Sequence, residues 1–217
     1  MSREALEVTV TASVASFRNP LYFGMQVGLP CPPPSTVGGM LAAAAGGWHR
    51  VKRSTRFAMA FRAQSSGTDL ETFHPLDKRG RRTEATPKDR DYLWGVELTV
   101  WLVEDCDFWY RALRRPVWPL KLGRSQDLAA ARPRYVDLHE TPGIQGHAVV
   151  AGDVGGDGTM LRLPTTVSLD RSRTLWGTYR YDRNGSRTHL PSGMSTDDGR
   201  GVVLLPEVHP SLVEEVA

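Results

Sequence analysis

The stretch Leu122-Gly-Arg-Ser-Gln-Asp127 carries residue types that grip phosphate. Glycine lets a backbone approach a ligand or take a positive φ. Arg124 can fork two bonds to one phosphate, and Ser125 and Gln126 offer neutral bonds to phosphate, sugar or base edge. The motif lies in a basic block. Arg111 to Arg134 holds seven Lys and Arg, Lys121 among them, against Asp127 alone. That is +6, where the whole chain of 217 residues carries +3. A second block, His74 to Arg90, sets Lys78, Arg79, Arg81, Arg82, Lys88 and Arg90 against three acids. Charge concentrated in this way suits a polyanion-binding surface, although a solvated face has the same composition. Phe108, Trp109, Tyr110, Trp118 and Tyr135 lie in or beside the first block, and cations mixed with flat rings hold single-stranded RNA. Phe108 and at least one of these tryptophans are expected in the core.

Acid–base chemistry has weaker support. The six histidines form no nucleophile motif and no HxxxH metal spacing. Metal-free RNA cleavage needs a base, an acid and a cation around one phosphate. Tyr22, His49, His74 and Lys121 are the candidates, but nothing in their spacing demands convergence. Cys31 and Cys106 are far apart and outside any CxxC, so no metal, cofactor or disulfide is expected.

These residues need elements to position them. Pro32, Pro33 and Pro34 force an extended approach to a helix read over Thr36 to Trp48, with Ser35 or Thr36 as its cap. Gly38, Gly39 and Ala42 to Ala45 leave that helix almost without side chains. Each glycine costs it about 1 kcal/mol relative to alanine. Something must come close: a packed sheet, which is the expectation for the helix taken alone, or a polyanion at its start. Leu6 to Val14 alternates as a half-buried strand, and so do Arg56 to Phe61 and Leu93 to Val103. The polar interval Gln64 to Arg90 reads as a long hairpin arm between the last two. A helix Phe108 to Arg114, capped by Asp105 or Asp107, and a strand Tyr135 to Leu138 follow. Further strands are expected at Thr159–Leu163, Trp176–Tyr181 and Gly201–Leu205 in a glycine-rich last third.

This order predicts an α+β fold, ferredoxin-like or RNA-recognition-motif-like, over residues 1–140, with residues 141–217 as an irregular β-rich extension of the same domain. The chain is 40% hydrophobic and 24% charged, as a globular core requires. No run reaches the ~18 apolar residues of a membrane span, so a cytoplasmic location without membrane contact is expected.

In combination, Phe17-Arg18-Asn19-Pro20, LPCPPPSTVGGMLAAAAGG and LKLGRSQD resemble the fifth CRISPR-associated protein family, Cas5. These are RAMP-superfamily subunits of type I Cascade complexes, and the Pro30 to Gly39 pattern is closest to the type I-B branch. The resemblance spans about Glu4 to Arg134. It implies a RAMP fold with a protruding basic β-hairpin thumb over about residues 64–92. It implies a non-catalytic subunit that caps the 5′ handle of crRNA, contacts the Cas7 backbone and large subunits, and reaches target DNA only through the complex. The RNA-binding residues it implies are Arg18, Ser35, Thr36 and Gly38 near the first helix. On the arm they are Lys78, Arg79, Arg81 and Arg82, and in the glycine loop Lys121, Gly123, Arg124, Ser125 and Gln126. One branch, type I-C, cleaves pre-crRNA without metal through a tyrosine, lysine and histidine. Here Lys121 is followed by Leu122 rather than histidine, which argues against that activity.

Overall fold

Period-two alternation builds the centre of the molecule. β1 (Ser2–Ala15) turns Leu6, Val8, Val10 and Ala12 into the main core, while Glu7 points to the opposite face. The computed structural model describes residues 2–22, 27–74, 79–81 and 84–214. After β1 come α1 (Pro34–Ala45), a 3₁₀ turn at Trp48–Arg50, β2 (Ala58–Phe73), β3 (Thr86–Leu102), α2 (Cys106–Arg114) and β4 (Ala130–His139). The strands lie in the order β4-β1-β3-β2, every neighbour antiparallel. Both helices cover one face. Val37, Leu41 and Ala44 of α1 and Trp109 and Leu113 of α2 meet Leu6, Val8, Leu98 and Val100 there. Burying Trp109 and Leu113 stabilises the layer by about 1.5–3 kcal/mol each.

The last third continues the same sheet. β5 (Ile144–Gly146), β6 (Ala148–Ala151), β7 (Thr159–Val167), β8 (Thr174–Tyr181), β9 (Ser186–His189), β10 (Met194–Ser195) and β11 (Gly201–Val202) precede a short α3 (Ser211–Glu214). β6, β8 and β7 continue the sheet beyond β2, and β10 and β11 continue it beyond β4, giving β11-β10-β4-β1-β3-β2-β6-β8-β7. β5 and β9 pair separately. The two outer strands are weak edges: β11 has two residues, and β7 carries Pro164 beside a register shift. On the face away from the helices, buried Glu7 accepts bonds from Trp101 Nε1 (2.9 Å), Arg134 Nη2 (2.6 Å) and Arg200 Nη2 (2.9 Å). Arg200 thereby ties the C-terminal part to β1.

Two sequence expectations about helix starts need correction. The first helix begins at Pro34 with Pro33 as its N-cap, so Ser35 and Thr36 lie inside the first turn and neither caps it. Pro34 at the first helical position pre-sets the helical φ, and the Pro33 carbonyl receives Thr36 N–H (2.9 Å). The second helix begins at Cys106 after Asp105, whose φ is 52°. The Asp105 carboxylate makes no cap bond but meets Lys52 Nζ at 2.7 Å. The hairpin arm read over Gln64 to Arg90 consists of the outer parts of β2 and β3, which stay in register from Ser65↔Trp94 to Phe73↔Thr86. From Gly67↔Tyr92 outward they pair only with each other. Both faces of this ribbon meet solvent, which erases the alternation that marks a half-buried strand. Among the described residues, no helix is long and apolar enough to cross a membrane.

Candidate nucleic-acid interface

The glycine motif folds around its one acid. Leu122 N–H donates to the Asp127 carbonyl (2.9 Å) and Asp127 N–H to the Arg124 carbonyl (3.1 Å), closing a tight loop. The buried Asp127 carboxylate accepts bonds from Ser16 N (3.2 Å), Arg124 N (3.0 Å), and Arg124 Nε and Nη2 (3.1 and 3.0 Å). Two nitrogens of the guanidinium expected to fork a phosphate are thus engaged within the loop. Asp127 also raises the pKa of Arg124 through this bond, against the opposing effect of burial. Gly123 has φ 107°, and a Cβ there would stand 2.7 Å from the Ser16 carbonyl oxygen. Glycine is therefore required where the loop presses on the end of β1.

The loop is also fastened to α1. Gly46 caps that helix in the left-handed region, and Val117 N–H and Trp118 N–H donate to the Ala44 and Ala43 carbonyls (3.1 and 3.3 Å). The chain then runs directly into Lys121 and Gly123. Between helix and loop lies a cleft of about 520 Å³. Ser35, Thr36, Gly39, Met40, Ala43 and Trp48 line one side, Pro119, Lys121 and Gly123 another, and Val167 at the end of β7 with Ser168, Leu169 and Arg171 of the β7–β8 turn a third, with Val208. Among the described residues, no carboxylate lines it. Two motifs more than eighty residues apart in sequence thus share one cleft.

The two helix glycines divide. Gly38 is buried, and a Cβ on it would stand 2.6 Å from Val208 Cγ2 and 3.1 Å from Trp48, so it serves packing. Gly39 faces the cleft, and a Cβ there would meet nothing within 4 Å.

Other expected residues lie elsewhere. Ser125 and Gln126 are exposed on the loop but do not line the cleft. Arg18 is exposed and bridges to Gly28 in the segment after β1. That segment is pinned to the ribbon by Asp91, whose carboxylate receives Gly28 N–H (3.1 Å) and the Thr68 hydroxyl (3.1 Å). Arg79 and Arg81 are exposed beyond the paired ribbon, and Lys78 and Arg82 lie outside the described residues. Of the rings, Trp109 is core, Tyr110 stacks on Tyr135 (5.1 Å, 21°), and Trp118 is 60% exposed. Tyr22, His49 and His74 do not line the cleft that holds Lys121. His139 Nε2 pairs with Asp197 (2.7 Å), and His209 is held between Ser211 and the Trp48 carbonyl. Burial pushes the Cys31 thiol far up, and no group of three or more potential metal ligands occurs among the described residues.

Sequence reasoning missed Asp127, Gly39 and Arg171. Asp127 had a signal, as the single acid in a strongly basic block. Arg171 had none: its place beside the cleft arises from how β7 packs on α1.

No curated protein sequence matches the chain. Its fold is similar to that of a chain in a solved CRISPR RNA-guided surveillance complex, with TM-score 0.58 and 17% identity, over 84% of this chain and 90% of that one. It is similar to a CRISPR protein from Archaeoglobus fulgidus, with TM-score 0.54 and 12% identity, over 94% and 99%. It is also similar to a chain of the Type III-B Cmr-beta complex bound to cognate target RNA and AMPPnP, with TM-score 0.54 and 11% identity, over 83% and 86%. The model of the CRISPR-associated protein family Cas_Cas5 matches residues 5–196, nearly the whole length, and the chain therefore belongs to the Cas5 family.

Proposed function

We propose that this chain is a non-catalytic subunit of a Cascade-type CRISPR effector complex and holds the 5′ handle of crRNA. The observation that carries this reading is the cleft, free of carboxylates among the described residues, in which Ser35 and Thr36 of one motif meet Lys121 and Gly123 of the other. A lysine, hydroxyls and a close-approaching backbone bind phosphate and sugar without reading base sequence, which suits a constant, repeat-derived segment. Family membership and folds found in CRISPR complexes support the setting. The order β4-β1-β3-β2 under two helices supports a ferredoxin-like core, and the β2–β3 ribbon with Arg79 and Arg81 at its far end supports a thumb against the bound RNA. Cas7 and the large subunit are the neighbours this role requires.

Lys121→Gln tests the assignment. The complex carrying it is expected to hold less crRNA, and the purified variant to bind repeat RNA several-fold more weakly, with an unchanged unfolding transition. Normal crRNA occupancy would overturn the site. Incubating the wild-type chain with repeat RNA in EDTA tests the non-catalytic part: intact RNA is expected, and a single defined cut would overturn it.

A further inference from the structure

The third wall of the cleft comes from a part of the chain that the motifs do not reach. The turn between β7 and β8 is tightly organised. Ser168 N–H donates to the Arg173 carbonyl (3.0 Å) and Arg171 N–H to the Ser168 carbonyl (2.9 Å). The Asp170 carboxylate accepts the Ser168 hydroxyl (2.5 Å), the Ser172 hydroxyl (2.7 Å) and Ser172 N–H (3.0 Å). The only acid nearby in the turn is thereby committed within it. Arg171 follows with φ 62°, a region where glycine, asparagine or aspartate is usual. A long cation occupies a backbone position that suits a short residue. Its side chain is exposed, lines the cleft with Lys121, and like Lys121 makes no ion pair among the described residues. In the same cleft, Gly39 forgoes helix stability where a Cβ would meet nothing within 4 Å. Packing does not explain that glycine, but open space for a ligand does.

We propose that Arg171 is a phosphate-binding residue of the RNA site, paired with Lys121 across the cleft, and that Gly39 keeps the space between them open. This rests on the RNA-binding reading above. Opposed cations from two elements would hold one backbone segment from both sides, so the C-terminal part completes the site.

The test uses the full-length chain and fluorescein-labelled single-stranded repeat RNA over a salt series. Arg171→Gly removes the cation and suits the positive φ, so the fold is retained. Losing one phosphate contact should lower the slope of log affinity against log salt by about 0.7, which is about fivefold weaker binding at about 0.1 M salt. Gly39→Leu should raise or preserve the unfolding midpoint while weakening binding at least as much. If Lys121→Gln lowers the slope and Arg171→Gly leaves slope and affinity unchanged, the Arg171 proposal falls alone and the RNA reading stands. If Arg171→Gly binds RNA normally but loses co-purification with other subunits, the turn is a protein contact and the proposal is overturned. If the wild-type chain, alone and in its complex, binds no repeat RNA, the functional reading itself fails.

Discussion

Gly38 and Gly39 are adjacent and chemically identical, yet the fold asks opposite things of them. Gly38 lets Val208 and Trp48 press onto the helix, while Gly39 touches nothing on its open side. Gly38→Ala should therefore destabilise the chain by about 1 kcal/mol or more, because overpacking outweighs the gain in helix propensity. Gly39→Ala should stabilise it by up to about 1 kcal/mol. Urea unfolding of both variants checks this, and equal shifts of the same sign would contradict it. The sequence made both glycines visible as an expense but could not apportion it, because Val208 arrives from the far end of the chain. Arg124 teaches the same lesson. Its type and setting pointed to phosphate, but Asp127 three residues on occupies its fork, and a turn that brings an i+3 carboxylate back onto its own arginine cannot be read from composition.

Elements were legible where one face is buried and obscure where neither is. Alternation marked β1 and the inner part of β3, and the prolines marked the start of α1. The ribbon carries few apolar residues, and β6 is only four residues long, so neither shows a full period. Contacts between elements were invisible, and α2 against β4 is an example. The Tyr135 hydroxyl donates to Asp107 Oδ1 at 2.5 Å and stacks its ring on Tyr110. The bond to Asp107, with smaller contributions from desolvation and nearby acids, pushes the Tyr135 phenol up to about 12. Its folded pKa exceeds the ordinary value of about 10, so the contact is fully present below pH 10 and is lost as pH rises through about 12. An ultraviolet titration of wild type minus Tyr135→Phe should show a midpoint near 12, and Asp107→Asn should return it toward 10. A midpoint near 10 in the wild type would show that the contact is not made in solution.

At the scale of the whole molecule, the chain folds back to finish its own sheet at both ends. Leu205 N–H donates to the Phe57 carbonyl (2.8 Å), Arg56 Nε to the Leu205 carbonyl (3.0 Å), and Val208 completes the packing over Gly38. Truncation after His139 removes Leu163, Tyr179, Tyr181 and Leu205 from the main core. The fragment should lose its cooperative thermal transition, measured by circular dichroism, and a retained sharp transition would show that residues 2–139 suffice. The strands that finish the sheet also decide how it ends. A two-residue β11 and a proline-interrupted β7 offer little continuous backbone to another strand. Neither end of the sheet is therefore a ready template for another strand, and the long free strand edges lie instead on the ribbon, where β2 and β3 pair only with each other.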